Sequence, residues 1–99
     1  MMAKVIFTIS YEIHPEKREE YLLLTKEMKE YLTNVKGREY SIYETKGKKN
    51  SFSEIFLFSS LNEYDDLEDH DEKMSDLVGR LELLLQNSRM KYTTLVELE

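Results

Sequence analysis

The chain has 99 residues, 34% of them charged and 40% hydrophobic, with a net charge of −6 and no cysteine; this suits one soluble domain, residues 1–99, around a single core. The acidic balance disfavours nucleic acid and anionic membranes as partners, and the lack of cysteine excludes disulfides, thiolate metal sites and Cys nucleophiles. A start without a leader pattern, no apolar run near membrane length and cysteine-free chemistry together set the expected location as the cytoplasm.

Residues 5–13, "VIFTISYEI", alternate Val5, Phe7, Ile9, Tyr11 and Ile13 with Ile6, Thr8, Ser10 and Glu12, the period of a strand. At "HPEKREE" the period changes: His14 takes the N-cap position, Pro15 the first helical position, and acids fill the first turns. Tyr21, Leu24, Met28, Tyr31, Leu32 and Val35 make one helical stripe, which Gly37 ends. Residues 38–45 and 51–60 read as two strands joined at "KGKKN", with Gly47 and Asn50 as turn residues. Ser60 and Glu63 form a capping box that starts a short helix, and a second start is expected near Asp69, with Glu72 three residues on. Met74, Leu77, Val78, Leu81, Leu84 and Leu85 form the stripe of a long helix ended by Asn87 and Ser88, and residues 91–98 form the last strand. The order β-α-β-β-α-β with right-handed crossovers predicts an α+β, ferredoxin-like domain: a four-stranded antiparallel sheet with both helices on one face.

Two helices cover one face only. Val5, Phe7, Ile9 and Tyr11 should meet them, which turns Ile6, Thr8 and Ser10 outward. Strand three is apolar on both faces, with Phe52, Phe56 and Phe58 on one and Ile55 and Leu57 on the other; Leu95 lies opposite Tyr92, Val96 and Leu98 on strand four. A monomer would leave Ile6, Leu95 and one of those two sets in water, so a homodimer joined sheet to sheet is expected. Leu22, Leu23 and Leu83, off their helix stripes, are additional contact candidates.

The segments "YEIHPEKREEYLLL", "EIFLFSSLNEYDDLEDH" and "YTTLVELE", in this order over nearly the whole chain, resemble the dimeric α/β-barrel superfamily, particularly its antibiotic-biosynthesis-monooxygenase-like domains. The resemblance implies a cavity between helices and sheet in each subunit. It also implies a place among cofactor-independent oxygenases of aromatic substrates, haem-degrading enzymes or members with no assigned activity. Many such relatives carry Trp at the end of strand three and His in the following short helix. The matching positions here are Phe58 and Leu67, with His70 three residues beyond. The chain has no Trp, and strand one offers Ser10 where the haem-degrading set has Asn; haem is not expected, nor any other cofactor.

The acidic stretch "YDDLEDHDEKMSD" lacks the glycine and the spacing of a calcium loop. Asp66 and His70 would share a helix face, but zinc needs three or four ligands and no others can be placed, so no metal site is assigned. Acids at helix starts account for the stretch. His70 is the candidate catalytic acid or base, at a helix junction and with an ordinary pKa of about 6.5. His14 is read as structural. Tyr11, Phe58 and Tyr64 are the candidate ligand-binding residues, though tyrosines also bury their rings in cores with the hydroxyl bonded. Arg80 and Arg89 could receive an anion; solvated arginines on a helix surface read the same way. An RNA-recognition reading shares the element order but needs a basic residue, a Gly and exposed aromatics on strand three, where Glu54 follows Phe52 instead. A metallochaperone is excluded by the absence of Cys.

Two functions follow. One is a cofactor-independent monooxygenase-like dimer acting on a small aromatic or lipophilic molecule. The alternative is a non-catalytic ligand-binding or structural homodimer of the same fold.

Overall fold

The computed structural model describes residues 3–67 and 71–98. They form β1 (Val5–Glu12), α1 (Arg18–Lys29), β2 (Glu39–Glu44), β3 (Ser51–Phe58), α2 (Leu61–Asp65), α3 (Glu72–Glu82) and β4 (Lys91–Val96). The strands make an antiparallel sheet in the order β2-β3-β1-β4, the ferredoxin-like arrangement expected. Register places Val5 beside Phe58, Phe7 beside Phe56 and Tyr11 beside Phe52. Those side chains therefore share the helix-covered face, as the period-two pattern requires.

The core has two lobes on that face. Tyr11, Ile13, Tyr21, Leu24, Met28, Phe52, Leu77 and Leu81 pack toward one end of the sheet. Val5, Leu32, Tyr40, Phe56 and Phe58 pack toward the other. Ile9, Tyr31, Ile42 and Met74 touch both lobes. At the first end, the Arg18 guanidinium grips Glu44 through contacts of 2.6 and 2.9 Å and reaches Asn50 at 2.8 Å, so the start of α1 is tied to the β2–β3 hairpin. Arg18, with the Asn50 amide, holds the Glu44 carboxyl at about 2.

Expected punctuation is in place. Gly37 and Gly47 have φ of +66° and +84°, and Asn50 also sits in the left-handed region. Ser60 accepts from the Glu63 N–H at 3.1 Å. Glu63 closes its side of the box on Ser59 rather than on Ser60.

Several expectations need correction. After Lys29 the helix widens into a π-type stretch, Glu30–Val35. The wider turn rotates the end of the stripe, so Leu32 stays buried while Val35 is 66% exposed. The long helix ends at Glu82 rather than near Asn87. Beyond it, Leu84 O accepts from His14 N–H and Gln86 N–H donates to Glu12 O, so these residues prolong the pairing of β1 instead of the helix. Leu84 and Leu85 remain buried because that path crosses the same core. The last strand stops at Val96, leaving Leu98 exposed. Asp71 caps α3 by accepting from the Lys73 and Met74 N–H groups; the start expected near Asp69 lies outside the described residues.

Candidate functional site

Three arrangements on the sheet bear on function. The first is a sealed polar cluster. Glu54 occupies the inward position between Phe52 and Phe56 on β3, yet is only 3% exposed. Tyr40 on β2 donates its hydroxyl to Glu54 Oε1 at 2.7 Å, and the Tyr11 hydroxyl also bonds that carboxyl. Tyr11 and Tyr21 hydroxyls lie 2.7 Å apart with their rings edge to face. Burial pushes the Glu54 carboxyl above its ordinary value, against the lowering effect of the two phenols. Burial and the nearby carboxyl push Tyr11 and Tyr40 upward, and burial does the same to Tyr21. The cluster satisfies its own hydrogen bonds, and Tyr11 and Tyr40 are each 4% exposed, so no substrate reaches it in this conformation.

The second is an aromatic shelf over β1 and β4. Phe7 stacks on Tyr92 with centroids 6.2 Å apart. Tyr64 from α2 meets Phe7 edge-on at 6.0 Å and Phe58 at 5.5 Å. Its hydroxyl lies 3.1 Å from Thr94 Oγ1. Tyr92, on this margin, is 60% exposed.

The third is the bare face. Register aligns Leu57, Ile6 and Leu95 across three strands. They are 40%, 37% and 53% exposed. Next in line are Ile55, Thr8 and Thr93, then Ser53, Ser10 and Lys91. It is therefore Ile55 and Leu57, not the phenylalanines, that face outward. The apolar row runs into a half-open groove of about 580 Å³ at the strand ends, lined by Val5, Ile6, Leu57, Phe58, Leu95 and Val96, with Lys4, Glu39 and Glu97 at its margin.

The structure brings Phe58 and Tyr64 together but not Tyr11. Tyr11 pairs with Phe52 at one end of the sheet, and Phe58 pairs with Val5 at the other, so Tyr11 and Tyr64 share no edge. His70 lies outside the described residues. His14 heads the turn Pro15–Lys17 with no side-chain cap bond, its ring 3.7 Å from Glu16. Arg80 is engaged by Glu27 rather than open to an anion. Among the described residues, no group of three or more His, Cys, Asp or Glu converges as metal ligands, and no helix is long and apolar enough to cross a membrane. Glu54 was legible as an exception: a carboxylate in the inward phase of "FSEIFLF" must be buried once that phase is known.

No family model and no curated protein matches the chain. Solved structures do. A conserved protein of unknown function from Bacteroides thetaiotaomicron VPI-5482, described as a "possible oxidoreductase", aligns with a TM-score of 0.74 at 14% identity, covering 97% of this chain and 99% of that one. A conserved protein from Methanosarcina mazei Go1 aligns with a TM-score of 0.76 at 16% identity, covering 98% and 95%. At such identities the likeness is one of fold.

Proposed function

We propose that the chain is a cytoplasmic homodimer of the dimeric α/β-barrel, antibiotic-biosynthesis-monooxygenase-like type that binds a small aromatic or lipophilic molecule. The carrying observation is the exposed Leu57–Ile6–Leu95 row, which belongs both to the bare sheet face and to the apolar groove. A second sheet laid on that face removes the row from water and closes one side of the groove. The groove's volume and lining suit a small lipophilic ligand. The fold and the description of the Bacteroides neighbour as a possible oxidoreductase support the family reading. Turnover in this reading rests on His70.

A non-catalytic dimer of the same fold is the second reading. It is favoured by the sealed state of the Glu54 cluster, which keeps this buried acid away from any substrate.

The test uses 1-naphthol as a fluorescent probe alongside light scattering. The wild type is expected to bind it and to exceed its monomer mass of 11.9 kDa, and Ile6→Glu to lose both properties. A wild type that scatters as a monomer, or binding indifferent to Ile6→Glu, overturns the proposal. His70→Ala then separates the readings: loss of oxygen uptake on a bound substrate supports turnover, and unchanged uptake removes His70 from it.

A further inference from the structure

We infer that the cleft between α1 and β2, on the helix-covered side of the sheet, is a binding site for a small aromatic carboxylate, separate from the groove on the bare face. One side of α1 builds the first wall. Arg18, Leu22, Thr25 and Lys29 recur at intervals of four, three and four residues, with Tyr21 and Lys26 beside them, so they share one side of the helix. Ile42 and Glu44 of β2 and Phe52 of β3 supply the floor and the opposite wall. The space between is about 330 Å³, which falls at the lower end of the usual range for small-molecule sites. Its lining comes from α1, β2 and β3 alone, so a second sheet laid on the bare face leaves it open.

The floor is aromatic. The Tyr21 and Phe52 rings lie with centroids 4.3 Å apart, and the Arg18 guanidinium sits 5.7 Å from the Phe52 ring. Leu22, 42% exposed, adds apolar surface that the core does not use. Charge is distributed unevenly along the cleft. At the start of α1, Arg18 is already satisfied by Glu44 and Asn50. At its end stand Lys26 and Lys29. Among the described residues, neither has an acid within ion-pair distance, and Glu30, one turn beyond Lys26, is taken by the Asn34 side-chain amide. Lysines suit the last turn of a helix on dipole grounds; these two also border an open aromatic floor, in a protein whose net charge is −6. Thr25 gives its hydroxyl hydrogen to Leu22 O at 2.8 Å, which leaves the two ammonium groups as the donors for an incoming anion. A flat ring on the Tyr21–Phe52 floor, with its carboxylate toward Lys26 and Lys29, meets both surfaces at once. Glu44 at the other end and the acidic total work against further negative charge, so a monoanion is favoured over a polyanion.

The experiment titrates 2-naphthoate, read by its fluorescence, into the whole chain, with the neutral 2-methoxynaphthalene in parallel. Naphthoate is expected to bind saturably, more tightly than the neutral analogue, and more weakly as salt rises. The methyl resonances of Leu22 and Ile42 are expected to shift on titration. Lys26→Gln with Lys29→Gln changes two exposed positions to another good helix former. It is expected to weaken naphthoate binding about ten-fold with an unchanged circular dichroism spectrum, and Leu22→Asp to abolish binding. Naphthoate affinity untouched by the double substitution, equal affinity for the neutral analogue, or methyl shifts confined to Ile6, Leu57 and Leu95 overturns the inference. Ile6→Glu keeps the two sites apart. Naphthoate binding that survives this substitution belongs to the cleft, whatever becomes of the bare-face contact; binding lost with it belongs to the bare face and overturns the inference.

Discussion

Glu54 shows how one residue sets a chemical state that its neighbours share. A carboxyl surrounded by Phe52, Phe56, Tyr11 and Tyr40 loses its water, and two phenol hydrogen bonds replace only part of it. Its folded pKa lies above the unfolded value of about 4.3. The proton is thus held longer in the folded state, and the stability this contributes is complete below the unfolded pKa and is lost as pH rises toward the folded one. Glu54→Gln keeps an acceptor for Tyr40 and Tyr11 but cannot ionise. The stability gap in favour of the variant is expected to widen by about 1.4 kcal/mol per pH unit within that window. Urea unfolding from pH 4 upward reads it, and parallel curves for the two proteins would contradict the assignment.

At the scale of elements, the join between the end of the first helix and the start of α3 is made by side chains, not by packing alone. Asp71 caps α3 while accepting the Tyr31 hydroxyl at 2.6 and 2.7 Å and the Lys36 ammonium at 3.3 Å. The Tyr31 hydrogen bond, first, and then the Met74 amide and Lys36 hold the Asp71 carboxyl below its ordinary value. Asp71→Ala is expected to cost about 1–2 kcal/mol in chemical unfolding, the upper part of the range for a lost cap. Asp71→Asn, which can still cap, should recover part of that loss; an alanine variant as stable as the wild type would refute the cap. Leu77, fully buried on α3, is the packing counterpart, and its truncation to Ala is expected to cost about 2–5 kcal/mol by the same measurement.

At the scale of the whole molecule, the two core lobes are bridged by Ile9, Tyr31, Ile42 and Met74, which couples one end of the sheet to the other. We propose on that ground that residues 1–99 act as one domain. Calorimetry is expected to show a single transition, with a midpoint that rises with protein concentration because association stabilises the folded chain. Two separated transitions would break the single-domain reading, and a concentration-independent midpoint would break the dimer.

Local pattern by itself determined the element order, the inward phase of β1, and the turn residues Gly37, Gly47 and Asn50. Each follows from a period or a backbone preference that a few neighbouring residues express. Which face of β3 turns inward was settled only by its register with β1. Tertiary structure decided what depends on distant partners. The long helix stops at Glu82 because residues 84–86 find backbone partners on residues 12–14, at and just past the end of β1. Val35 leaves the core because the preceding turn widens. Tyr11 and Tyr64 stand at opposite ends of the sheet because β1 and β3 run antiparallel in one particular register. Glu54 becomes a buried acid only where three strands and α1 bring tyrosines around it, since desolvation is a property of the assembled surroundings and not of the residue.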